Sequence, residues 1–191
     1  QCARYRPGGE AEILLDGLDR AMGVTVTGHG EIVLCEAGAG RVIAIRADGQ
    51  ARTLATGLDR PTGLAEAPGG GFFVSEAGAG RVLHVTGDGA ATVMSGLIEP
   101  HGVAVSAGRV VALDRGDGAL HRAGGKDGAT EVLASGLPCG THGELRPNIL
   151  PGIKDLMPGP LLPFADIAAL PDGRIAVGGD AQGSIVAVRQ P

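Results

Sequence analysis

The sequence predicts an all-β fold, a β-propeller of four-stranded blades about 40 residues long, and three observations predict it. First, a β-prone run ending in Gly-Leu recurs as EILLDGL, RTLATGL, TVMSGL and EVLASGL, which spaces Gly17, Gly57, Gly96 and Gly136 at 40, 39 and 40 residues. Second, each interval holds four short β-prone runs separated by turn residues, with almost no helical periodicity. Third, 35 glycines and a near absence of aromatics, with no Trp, one Tyr and three Phe, call for many tight turns around a core of Val, Leu, Ile and Ala.

The elements follow in the same order in every interval. After Gly-Leu and a short polar or proline-containing link comes a first strand (GVTVT, GLAEA, GVAVS), then a turn and a second strand (EIVLCE, FFVSE, RVVALD). A glycine turn, a third strand (RVIAIR, RVLHVT, ALHRA), a DG or GG turn and a fourth strand complete the unit. EAGAGRV, present at Glu36 to Val42 and again at Glu76 to Val82, is the turn between second and third strands. No helix follows its glycines, so it lacks the helix N-terminus that a phosphate cradle requires.

This reading divides a single domain, 1–191, into a partial blade (1–16), full blades (17–56, 57–95 and 96–135) and a last blade (136–191) with a proline-rich insertion at 137–164. CARYRPGG aligns with a third strand and AEILLDG with a fourth, while ADIAALPDGRIAVGGDAQGSIVAVRQP supplies strands one to three. The expectation is 17 strands, four to five blades of a ring that is six-bladed in the complete protein, with upstream sequence outside this chain. A compact four-bladed ring with one surplus strand is the alternative. The insertion carries half of the 12 prolines, too many for a central strand, and is read as a loop on one face that either lines a site or covers a blade.

Composition narrows the function. The net charge is −5 and the basic residues are scattered singly, which argues against a nucleic-acid surface. Apolar stretches are short and broken by Gly, Pro or charge, so no bilayer span is expected, and the protein is expected to be soluble, either cytoplasmic or secreted after removal of a signal. Cys2, Cys35 and Cys139 are widely spaced with no CxxC pair and indicate neither a disulfide framework nor a zinc site. There is no GxSxG, and Cys35 and Ser75 hold equivalent second-strand positions, as packing residues do.

GLDRPTGLAEAPGGGFFVSEAGAGRVLHV and EPHGVAVSAGRVVALDRGDGALHRA resemble blades of the SMP-30/gluconolactonase, NHL and virginiamycin B lyase-like propellers, and the likeness extends over nearly the whole chain. The resemblance implies a small-molecule ligand at one mouth of the central channel, near the start of each innermost strand. It also implies a divalent metal ion there (Ca, Mg or Zn) and chemistry that opens lactones or cleaves C–O bonds. The entry positions here are Met22, Thr62, His101 and Ala165, of which His101 alone is both a ligand and an acid/base candidate. It also resembles the histidine of the lyase-like pattern PHG followed by a strand.

The repeated acids Glu36, Glu76 and Asp114 have two readings. An acid at a strand end can accept N–H bonds from the following glycine turn in every blade. The resemblance implies instead that one of the three holds a metal; the fourth blade has Gly179 at that position with Asp180 beside it. SMP-30-type lactonases are implied to use acids with asparagine, and the sole asparagine, Asn148, is a ligand if the insertion folds over the mouth. His142, with Glu144, joins His101 if that loop folds inward. His29 is expected at the opposite mouth, and His84 and His121, on third strands, at the surface.

Three functions follow: a metal-dependent hydrolase or lyase acting on a small lactone or ester; a non-catalytic propeller binding a protein or small ligand through the insertion, with an apolar patch at 150–162; or a partial propeller that needs a second chain to complete its ring.

Overall fold

A computed structural model describes residues 1–124, 129–140, 164–181 and 183–190, with the backbone of 152–153 and 157–158. Among them there is no helix. Strands β1 (Cys2–Arg4) and β2 (Glu12–Leu15) form a two-stranded sheet. The first complete blade is β3 (Ala21–Val26), β4 (Ile32–Glu36), β5 (Arg41–Ile45) and β6 (Ala51–Thr56); the second is β7 (Pro61–Glu66), β8 (Phe72–Glu76), β9 (Arg81–Thr86) and β10 (Gly89–Ser95). The third is β11 (Pro100–Ser106), β12 (Arg109–Asp114), β13 (Ala119–Ala123) and β14 (Thr130–Ala134). A pair, β15 (Gly152–Ile153) and β16 (Met157–Pro158), lies in the proline-rich segment, and β17 (Asp166–Ala169), β18 (Ile175–Gly179) and β19 (Ser184–Val188) form a three-stranded blade. Every pairing is antiparallel between consecutive strands, and the first strands of neighbouring blades, β3, β7, β11 and β17, lie against one another. This is a propeller arrangement, as the 40-residue repeat predicts.

Glycine makes the approach of first strands possible. A Cβ on Gly63 would overlap the carbonyl oxygen of His101 in the next blade, and one on Gly23 would meet Thr62 O at 2.5 Å. The pairing between first and second strands is irregular here, between Ala21 and Val24, Pro61 and Leu64, and Pro100 and Val103. Such an irregularity bends the innermost strand where the chain enters it.

The core lies between blades rather than within them. Val33, Cys35, Val42 and Ala44 of the first blade pack on Leu64, Val74, Leu83 and Val85 of the second. Val82 and Met94 pack on Val103, Val110 and Ala112 of the third, whose Val111, Leu113 and Leu120 meet Ile167, Ile175 and Val177 of the fourth. Leu14 of the β1–β2 pair covers Leu34, Ile43 and Ile45. Each fully buried Val, Leu or Ile contributes about 1.5–3 kcal/mol, so a blade draws most of its stability from its neighbours.

EAGAGRV is a turn clasped to the link that precedes its own blade. Ala77 N–H donates to Arg60 O at 3.0 Å and Gly78 N–H to Asp59 O at 3.1 Å, while Leu97 N–H of the following link donates to Gly80 O at 3.0 Å. Gly80 has φ 62° and a Cβ there would overlap Leu97 O, so both its conformation and its surroundings exclude a side chain.

Candidate functional site

Residues of the links that lead into β3, β7 and β11 line one cavity, and the repeated acids fix those links. Glu36 and Glu76 are each 1% exposed. Glu36 accepts the Asp19 N–H at 2.9 Å and bonds the Arg41 guanidinium; Glu76 accepts the Asp59 N–H at 2.8 Å and bonds Arg81. Asp114 accepts three amides, from Ile98 at 2.6 Å, Glu99 at 2.8 Å and Gly116 at 2.9 Å. In the fourth blade Asp180 does the equivalent work, taking the Gly140 N–H at 2.8 Å.

The residues after those fixed amides, Arg20 and Arg60, have left-handed backbones, φ 52° and 51°. An L-residue pays about 1–2 kcal/mol for this. The conformation is over-determined, because Arg20 O and Arg60 O receive the Ala37 and Ala77 N–H groups, each at 3.0 Å. The other non-glycine residue of this kind among the described residues, Ala107, sits in the tight β11–β12 hairpin, where a positive φ is ordinary.

A cavity of about 130 Å³ opens here, lined by Arg20, Met22, Ala37, Arg60, Thr62, Glu99, His101 and Arg115. His101 is 4% exposed, with its ring 5.5 Å from that of Phe164 and its Nε2 3.8 Å from Glu99 Oε1. Its Nδ1 is buried and has no partner among the described residues. Thr62 and Ser75 stitch the second blade to the third beneath it: Thr62 Oγ1 donates to Pro100 O at 3.0 Å, and the Ser75 hydroxyl donates to the His101 carbonyl. Cys35, equivalent to Ser75, lies 3.9 Å from Gly63 O, and burial pushes its thiol far above the ordinary range, as befits a packing residue rather than a nucleophile.

A charged network spans the third and fourth blades. Arg115 donates from Nη1 to Glu99 Oε2 at 2.7 Å and from Nε to Asp180 Oδ2 at 2.6 Å, and Arg60 Nη1 stands 3.5 Å from Glu99 Oε1. The His101 imidazole and the Arg115 guanidinium hold the Glu99 carboxyl down to about 2. At 3.8 Å the imidazole is beyond hydrogen-bond reach and acts only when protonated, whereas Arg115 is in contact and charged at every pH.

The sequence put His101 at the entry of a first strand, and the structure has it there; Arg20, Arg60, Glu99 and Arg115, which line the same cavity, were not singled out. Signals existed: LDR recurs before the first strand at 18–20 and 58–60, and Arg115 replaces the first alanine of the EAGAG turn in DRGDG. Asp166, at the position held by Gly23, Gly63 and Gly102 in the other blades, lies against Gly102, and its carboxylate accepts the Ile167 N–H at 2.8 Å. His142, Glu144, Asn148 and the 150–162 stretch lie outside the described side chains. His29 lines a separate cleft with Glu31, Arg46 and Asp48. His121 corrects the expectation of a surface residue: it is 8% exposed, with Nε2 3.0 Å from Asp117 Oδ2.

The repeated acids do not fit a metal at the mouth. Glu36, Glu76 and Asp114 spend their oxygens on amides and arginines, and coordination would strip those buried donors of partners. Among the described residues, the group of three whose ligand atoms lie within 4.8 Å of one another is Asp114, Asp117 and His121, at the β12–β13 turn. There, too, Asp114 is committed to three amides and Asp117 to His121 and the Ala119 N–H.

No protein-family model and no curated protein matches the sequence. Solved structures do match. A catalytically inactive virginiamycin B lyase from Staphylococcus aureus, solved with quinupristin, superposes with TM-score 0.67 at 15% identity, over 99% of this chain and 62% of that one. A streptogramin B lyase gives 0.64 at 13% identity, over 93% and 57%. A gluconolactonase from Xanthomonas campestris gives 0.68 at 20% identity, over 98% and 68%. This chain thus has the propeller fold of virginiamycin B lyase and gluconolactonase structures, spanning 62% of the first and 68% of the second, and the likeness is one of fold.

Proposed function

We propose that the protein is a hydrolase or lyase of the SMP-30/gluconolactonase-like type, acting on a small lactone or ester at the channel mouth. The observation that carries this reading is the cavity in which a buried histidine, a carboxylate and three arginines meet at the entry of the innermost strands. The lactonase and lyase neighbours support it at the level of fold.

His101 is the proton-transfer residue. As a neutral imidazole it takes the proton from an attacking water, or from the carbon beside a scissile C–O bond, and the adjacent Glu99 carboxylate stabilises the imidazolium that results. The half-exposed guanidiniums of Arg20 and Arg60 supply N–H donors that orient an oxygen-bearing end of the substrate beside His101. Arg115, bonded on both sides, positions Glu99. In a metal-dependent form of this reading, His142 and Asn148, which lie outside the described residues, would be the ligand candidates, and a divalent ion would polarise the scissile carbonyl.

The test is turnover of a panel of γ- and δ-lactones and phenyl esters by wild type and His101→Ala, with elemental analysis of both. We expect kcat/KM to fall about 100-fold or more in the variant. A folded wild type without turnover on any member, or a variant as active as wild type, overturns the reading. Stoichiometric metal in active wild type selects the metal-dependent form.

A further inference from the structure

Arg20 and Arg60 occupy the same position in successive blades, both line the cavity, and both are held in a backbone conformation that arginine does not favour. Their backbone environment explains how the conformation is kept and leaves open why arginine should be the residue in it. The side chains are 56% and 51% exposed, and among the described residues neither guanidinium makes a hydrogen bond. Their nearest carboxylates are 3.7 Å away for Arg20, at Asp19 of the solvent-facing rim, and 3.5 Å for Arg60, at Glu99. Glu99 is itself bonded to Arg115, as is Asp180. The negative charge of the site is therefore largely engaged, while two five-donor guanidiniums retain unspent N–H groups.

The space fits a small anion. About 130 Å³ is room for roughly four waters at liquid density, below the ~300–1,000 Å³ of pockets that enclose a drug-sized ligand. Such a cavity holds one end of a molecule. Guanidiniums recognise a planar carboxylate bidentately, and His101 lines the same cavity, close to whatever such a carboxylate anchors.

We propose that this mouth is an anion subsite, with Arg20 and Arg60 as its specificity-determining residues, and that it seats the carboxylate end of an organic-acid substrate. The proposal rests on the hydrolase or lyase reading for calling the bound molecule a substrate; the anion site itself does not depend on it.

The experiment titrates acetate, acetamide and inorganic phosphate into the full chain at neutral pH, following the amide resonances of Ala37, Thr62 and His101. Acetate and acetamide match in size and differ in charge. Acetate is expected to give saturable shifts and acetamide none. Arg20→Gln combined with Arg60→Gln is expected to weaken acetate about tenfold or more, and the corresponding Lys pair by less, because Lys keeps the charge and loses the fork. If the Gln pair does not fold, each single Gln variant decides, with an expected loss of about threefold. Equal binding of acetamide, unchanged acetate binding in the Gln variants, phosphate bound about tenfold tighter than acetate, or no saturable response to acetate overturns the proposal. Acetate binding without turnover of any lactone or ester leaves the anion site standing and sinks the hydrolase or lyase reading; turnover without acetate binding does the reverse.

Discussion

Glu76 shows how a repeated acid serves structure at the residue scale. Its carboxylate satisfies the Asp59 amide and the Arg81 guanidinium from a position 1% exposed. Removing it in Glu76→Ala strands a partly buried N–H, while Arg81, 40% exposed, turns to water, and the expected loss is about 1–2 kcal/mol in urea denaturation. A loss below about 0.5 kcal/mol would mean the clasp contributes nothing. Glu99 makes a separate, pH-dependent prediction. Its folded pKa, about 2, lies below the ordinary 4.5, so its contribution is full above about pH 4.5 and is lost as pH falls towards 2. The stability difference between wild type and Glu99→Gln should therefore shrink between pH 5 and pH 2. A difference that is constant or grows on acidification contradicts the assignment.

At the scale of the element, the first strand is the demanding one, since it pairs with its own blade and presses against the next. Gly63 sits where a Cβ would overlap the His101 carbonyl, with the Ser75 hydroxyl bonding the same oxygen. Gly63→Ala is expected to cost about 1–3 kcal/mol and to move the His101 amide resonance. Gly28 has open space around its Cβ direction, and Gly28→Ala should change stability by no more than about 0.5 kcal/mol. Equal effects of the two substitutions would show that glycine is tolerated rather than required in the first strand.

Across the whole molecule, blades hold one another through the clusters between them and through Arg115, which joins Glu99 to Asp180 from a side chain 9% exposed. Arg115→Ala leaves both acids without their guanidinium, and the expected loss is about 3 kcal/mol, mostly at the junction of the third and fourth blades. Hydrogen exchange should be slowest in β8 and β12, in blades packed on both faces, and fastest in β1, β2 and β19, where Ile13 and Ile185 are exposed. Uniform protection along the chain would contradict stability set by neighbouring blades.

The period of Gly17, Gly57, Gly96 and Gly136, the four strands per unit and the EAGAGRV turn were legible in the sequence, because hydrophobic alternation and positive-φ glycine act over a few residues. His101 was legible as the entry residue of a first strand for the same reason. The cavity around it was not. Arg115 and Asp180 are 65 residues apart and meet only when the third and fourth blades stack. His121 looks like any third-strand residue until Asp117 and the packed turn bury it. Local chemistry by itself determined the blades and the approach to the mouth. Which side chains share the mouth was decided by the tertiary structure, since stacking the blades brings together charges from different repeats and removes water from between them.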